Sequence, residues 1–202
     1  IGLAMRLKLG AKNWMKAAPQ GIMAMLPAIN ILLFAWTIGA VVRDVETGKY
    51  LASMANGNLP IEVLPAVVFI LSCAMAFATG TSWGTFGIML PLAGDMAAAS
   101  DISLMLPMLA AVLAGSVFGD HSSPISSTSI LSATGAGCHH IDHVMTQLPY
   151  ALAIAFGAAM GYLVMGMMHS VLAGFTVSGL WFIIFSGYHL RKARLQRDLA
   201  VA

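Results

Sequence analysis

Gly115-Ser116-Val117-Phe118-Gly119-Asp120-His121-Ser122-Ser123-Pro124-Ile125-Ser126-Ser127-Thr128 is a polar stretch set in a very apolar chain. Ser103 to Phe118 reads as a helix of membrane grade, and Ile125 to Gly137 can continue it. Between them stand an acid, a histidine, a run of hydroxyls and a proline. Proline lacks a backbone donor, clashes with the preceding turn and forces the residue before it towards an extended conformation, so one straight helix through Pro124 is not expected. Irregular backbone at membrane depth survives only where protein or a water-filled cavity satisfies it. Broken helix ends present the N–H groups, carbonyls and dipole ends with which transporters hold ions and small solutes. The stretch is therefore expected to be a discontinuous membrane helix lining a transport site.

Composition sets the solvent. Of 202 residues, 59% are hydrophobic and 9% charged, against about 25% charged in soluble domains. Arg6, Lys8, Lys12 and Lys16 open the chain, Arg191, Lys192, Arg194 and Arg197 close it, and Tyr50 to Leu190 holds no Lys or Arg. Nucleic-acid binding needs a continuous basic face; clusters at two ends read as cytoplasmic flanks of membrane spans. Cys73 and Cys138 lack ligand spacing, and the methionines spread through the apolar runs read as packing. The first residue is Ile1, and the opening lacks the order of a signal peptide. The chain is expected to be a piece of a longer protein, with an upstream half as its partner.

The expected fold is all-α: a polytopic membrane protein with a re-entrant helical hairpin and a discontinuous transmembrane helix. Residues 1–18 form a basic cytoplasmic or interfacial segment, 19–190 the transmembrane domain and 191–202 a cytoplasmic tail. The first span runs over Gly21 to Val42, with Pro27 and Asn30 inside, followed by a loop from Arg43 to Asn58. Ile61 to Ala78 is apolar, Thr79 to Thr85 interrupts it, and Phe86 to Ala99 is apolar again. That pair is either one broken span or a hairpin with its tip at the midplane; the Ala97–Ser103 link, acidic at Asp101 and without a basic residue, favours the hairpin. Cys138 to Thr146 is a polar junction. Gln147 to Met168 and Val171 to Leu190 are two further spans joined tightly at His169-Ser170. With both termini cytoplasmic, the crossings add up.

Asp120 is the sharpest candidate. A carboxylate near a bilayer centre costs several kcal/mol unless paired, hydrated or protonated, and no basic neighbour in sequence can pair it. It suits a cation ligand, Na+ in particular, or a proton carrier; the plainer alternative is a cap on the following half-helix. His121 can move protons or bind substrate, or simply satisfy carbonyls at the break. Ser122, Ser123, Ser126, Ser127 and Thr128 offer hydroxyls to a cation or a carboxylate, although lone serines in helices commonly bond their own i−4 carbonyl. Thr79, Thr81, Ser82 and Thr85 form a second candidate wall, with Gly80 and Gly84 permitting close approach and Gly119 and Pro124 marking the other break. Trp83 is read as a gate in preference to an interfacial anchor. His139, Asp142 and His143 share one helical turn; lacking a third ligand, Asp142 and His143 read as a proton relay at the cytoplasmic mouth, or Asp142 as a helix cap, in preference to a metal site. No nucleotide loop occurs, and Asp120-His121-Ser122 are sequence neighbours rather than a converging catalytic triad. No enzyme and no cofactor are expected.

Two motifs carry a resemblance to a family. Phe77-Ala78-Thr79-Gly80-Thr81-Ser82-Trp83-Gly84-Thr85-Phe86-Gly87 and Phe118-Gly119-Asp120-His121-Ser122-Ser123-Pro124-Ile125-Ser126 resemble the NhaC-type Na+/H+ antiporters, as do Thr134 to Cys138 and His140 to Tyr150. The likeness covers roughly Pro19 to Met168 and corresponds to the C-terminal half of a family member. It implies an inner-membrane secondary transporter of the ion-transporter superfamily, with hairpin-plus-broken-helix repeats, elevator-like movement and a homodimeric scaffold. One departure matters: where family members commonly read Ser-Asp-Thr, this chain has Ser126-Ser127-Thr128. The resemblance thus implies Na+/H+ antiport first, and as an alternative a Na+- or H+-coupled carrier of a small organic anion or amino acid. A non-transporting scaffold fragment is the remaining class, disfavoured because a scaffold has no use for two costly polar breaks.

Overall fold

The computed structural model describes residues 60–201, with isolated positions between 19 and 45. The expected basic segment, the span over 21–42 and the loop over 43–58 lie outside the described residues. Over residues 60–201 the chain forms six α-helices and no strand: α1 Leu64–Thr79, α2 Ser82–Ser100, α3 Met105–Ser122, α4 Ser127–Ala136, α5 His140–Met168 and α6 Val171–Val201. Single 3-10 turns at Ile61–Val63 and Ile102–Leu104 lead into α1 and α3. Among the described residues four segments are long and apolar enough to cross a membrane: Ile61–Thr79, Ile102–Ser122, His140–Met168 and Val171–Lys192. The protein is a multi-pass, all-α membrane protein.

Local chemistry fixes the boundaries. α1 starts with Pro65 in its first turn, where a missing N–H costs nothing. It ends at Gly80, whose φ of 67° is the left-handed conformation a glycine adopts freely, with its N–H on the Ala76 carbonyl at 2.8 Å. Thr81 is extended and accepts from the Gly84 N–H, so α2 begins at once. The interruption is thus Gly80 and Thr81, narrower than Thr79 to Thr85: one cap on each side suffices to turn the chain. Asp101 accepts from the Ser103 N–H at 2.8 Å and opens the next turn. α3 continues four residues beyond Phe118, and the second break narrows to Ser123–Ser126. Ser123, preceding Pro124, is extended as that position requires. α5 starts at His140, so most of the expected polar junction is helical, and α6 extends past Leu190 to Val201. His169, at φ 46°, makes the tight turn into α6.

The packing is that of a membrane bundle. α3 lies parallel to α1, with Gly115 against the Phe69 carbonyl and Gly119 against the backbone of Cys73 and Phe77. A side chain at either glycine would collide with main chain, so the two helices touch backbone to backbone. α2 returns antiparallel to both, Ser82 reaching Asp120 at one end and Gly94 facing Met105 at the other. Leu64, Val68, Met89, Ala93, Met108 and Val112 form the shared core. α5 crosses this group with Gly166 on the Glu62 backbone and Tyr162 on Phe69, and α6 packs on α5 through Gly157, Gly161 and Trp181. Small residues sit between helices while Leu106, Leu131, Leu172 and Phe175 face outwards. That inversion suits lipid, where burying large apolar groups gains little and close contact gains more.

Candidate functional site

Two turns of chain meet beside Asp120. The first is Gly80-Thr81, between α1 and α2; the second is Ser123–Ser126, between α3 and α4. Because α1 and α3 are parallel, their ends fall at the same end of the bundle, and Gly80 rests against Ile125.

Asp120 lies in the last turn of α3 and is 6% exposed. Its Oδ2 accepts from Ser82 Oγ at 3.1 Å, and its Oδ1 accepts from Ser126 Oγ at 2.5 Å and from Thr128 Oγ1 at 3.1 Å. The donors come from α2, the break and α4, so one carboxylate ties three elements. Ser126 Oγ also accepts from the Thr128 N–H at 3.1 Å and lies 2.6 Å from Thr128 Oγ1. No ion pair to Asp120 occurs among the described residues. Every donor is a hydroxyl, which can also turn its lone pairs outwards. The same oxygens can therefore hold a bare carboxylate, share it with a hard cation, or accept from a protonated one.

The sequence candidates divide. Ser82, Ser126 and Thr128 join Asp120. Ser123 is fully buried, and its hydroxyl accepts from the Ile125 N–H at 3.3 Å, shaping the turn. Ser122 is buried with a hydroxyl that finds no partner, as are Ser72 and Ser116 on the facing surfaces of α1 and α3. Thr79 and Thr85 bond their own helix, to Met75 at 2.9 Å and the Thr81 carbonyl at 3.0 Å, and do not reach Asp120. His121 is exposed and engages the Val117 carbonyl at 3.0 Å: it satisfies its own helix. Ser127 is exposed. Trp83 is 67% exposed and lies edge-on to Phe86. Asp142 occupies the first turn of α5 but is not its cap; it faces His139 at 3.9 Å on an exposed surface, and among the described residues neither it nor His143 bonds to the Asp120 cluster.

Two participants escaped the sequence reading. His140 Nε2 donates to the Pro124 carbonyl at 2.6 Å, fastening the start of α5 to the break. Its Nδ1 is buried without a partner. Ser129, 3% exposed, donates to the His121 carbonyl at 3.0 Å and folds α4 back on the end of α3. Ser129 is one residue beyond the hydroxyl run; His140 stands between two histidines that spacing made more conspicuous.

The model of the Na+/H+ antiporter family matches residues 1–167. An uncharacterized protein of Haemophilus influenzae is 57% identical over 164 residues, 81% of this chain and 32% of its own. The Malate-2H(+)/Na(+)-lactate antiporter of Bacillus subtilis is 30% identical over 175 residues, 83% of this chain and 36% of its own. An uncharacterized Na(+)/H(+) antiporter of Haemophilus influenzae is 29% identical over 154 residues, 75% of this chain and 32% of its own. The chain thus spans about a third of the length of these relatives. No solved structure matches it.

Proposed function

The chain belongs to the Na+/H+ antiporter family, and from that premise we propose that it is the C-terminal part of a secondary transporter exchanging Na+ for H+ at Asp120. The observation that carries this is the buried carboxylate held by Ser82, Ser126 and Thr128, with no cationic side chain on it among the described residues. A permanent Lys or Arg partner would fix its charge; hydroxyls leave it free to take a proton or a metal ion in turn. Hard oxygen ligands suit Na+. α1 and α2 act as a re-entrant hairpin with its tip at Gly80-Thr81, and α3 and α4 as the halves of a broken transmembrane helix. Both termini lie on the cytoplasmic side of the inner membrane, on the strength of the basic clusters at each end. An upstream part of the same transporter supplies the opposing wall, and a homodimer supplies the scaffold.

A second reading is a carrier of a small organic anion coupled to the same ions. It is favoured by the named antiporter of Bacillus subtilis and by Ser127, which leaves Asp120 as the sole acid of the break. Proteoliposomes holding the whole transporter separate the two readings. Na+ added outside should drive protons across without any organic solute. Proton movement only when malate or lactate is also supplied would select the carrier, and none under either condition would end both.

A further inference from the structure

α5 and α6 line a groove of about 730 Å3. Its walls change character along its length. Ile154, Phe182 and Phe185 make one part apolar, while Tyr150, Ser186, His189 and Lys192 supply its polar groups. All four polar side chains can donate a hydrogen bond, and among the described residues no carboxylate lines the groove. His189 is held among rings, 5.5 Å from Tyr150 and 4.4 Å from Phe185. Lys192 has no ion pair among the described residues, and the exposed Arg191 adjoins it.

The polar end also falls at a definite level. The apolar run of α6 ends at Leu190 and is followed by Arg191 and Lys192. α5 is 29 residues long, about 43 Å at 1.5 Å per residue, so it outreaches a hydrocarbon core of about 30 Å. Its first eight residues, His140 to Gln147, include all of its polar start, and Tyr150 stands just beyond them. Tyrosine and lysine at the close of apolar runs mark the membrane boundary. Tyr150 lies 5.5 Å from His189, so the groove's polar groups stand together where the apolar run of α6 ends.

We infer that this groove binds one anionic phospholipid, the phosphate received by Lys192, His189, Ser186 and Tyr150, and an acyl chain laid along Ile154 and Phe182. The Lys192 ammonium, with no carboxylate beside it among the described lining residues, favours an anionic guest, and the apolar remainder favours one that also carries an acyl chain. Basic pockets between membrane helices recognise lipid headgroups on the same terms.

The test uses the complete transporter in nanodiscs of equal phosphatidylglycerol and phosphatidylcholine with identical chains. Lipids retained after mild delipidation should be enriched several-fold in phosphatidylglycerol. Lys192→Gln combined with His189→Gln should bring the enrichment back to the bulk ratio, whereas Phe175→Ala, on an exposed face of α6, should leave it. A photoreactive amino acid at position 186 should capture lipid. Equal retention of both lipids, an unaltered preference in the double variant, or capture at position 186 of another protein segment would overturn the inference. So would displacement of the lipid by millimolar inorganic phosphate, which would make the groove an ordinary anion site.

Discussion

Gly80 and Ile125 touch across the two chain turns: a Cβ on Gly80 would stand 2.9 Å from Ile125 Cγ1 and 3.0 Å from its carbonyl oxygen. The contact seats the α1–α2 tip on the α3–α4 break. Gly80→Ala meets two penalties, a left-handed backbone and this contact, the first alone about 1–2 kcal/mol. The variant should unfold at a lower temperature in detergent and take up Na+ more weakly. Wild-type stability with unchanged Na+ dependence would show that the tip is free of the break.

Asp120→Asn preserves shape and most hydrogen bonds but removes the charge and the exchangeable proton. At matched abundance in everted vesicles it should reduce Na+-driven proton movement at least about tenfold, roughly the loss of 1.4 kcal/mol of binding. Asp120→Glu should keep part of the flux. Full coupled transport by the Asn variant across pH would make Asp120 only a tie between helices.

Ser82→Ala and Ser126→Ala each remove one hydroxyl from the carboxylate. Hydrogen bonds to charged groups are worth about 1.5–3 kcal/mol, so the apparent KM for Na+ should rise by about tenfold or more. Ser126→Ala should be the more damaging, because that oxygen serves both Asp120 and the Thr128 N–H. Equal, small effects from both would mean that the hydroxyls do not touch the ion.

His140→Ala frees the Pro124 carbonyl and should raise the Na+ KM with little change in the maximal rate, since the ring touches the break and not the carboxylate. His140→Gln, which keeps an N–H donor, should recover part of the affinity. An Ala variant with normal KM would confine the bond to folding.

Asp101 offers a titration outside the spans. The Ser103 backbone N–H, first, and its hydroxyl hold this carboxyl below its ordinary 3.8. A lowered folded value means that the cap's contribution is complete above the ordinary value and fades as pH falls through the folded one. NMR of the Asp101 carboxyl should give a midpoint under 3.8; one at or above it would deny the cap.

What was legible followed from local rules. Pro124 announced the second break, and the extended Ser123 is its direct consequence. Asp120 stood out because a lone acid in an apolar run needs a reason. The width of each break was less legible, since Thr81 as an N-cap restarts α2 at Ser82, three residues before the hydroxyls end. Hydroxyl direction was not legible at all. Thr79 and Thr85 look like Ser82 in sequence, yet they face nearby carbonyls while Ser82 faces Asp120, which the antiparallel register of α2 on α3 brings opposite it. His140 was hidden for a similar reason: its partner, the Pro124 carbonyl, is sixteen residues away and is backbone, which carries no residue signature.

The parallel course of α1 and α3 has an electrostatic consequence. It brings two helix C-termini, at Thr79 and Ser122, and two N-termini, at Ser82 and Ser127, to one small volume. Each terminus carries about half an elementary charge, negative at the C-terminal end and positive at the N-terminal, so the four nearly cancel. The field at the centre is then left to the Asp120 side chain. Under the proposed one-for-one exchange of Na+ for H+, the laden pocket would be uncharged whichever ion it held.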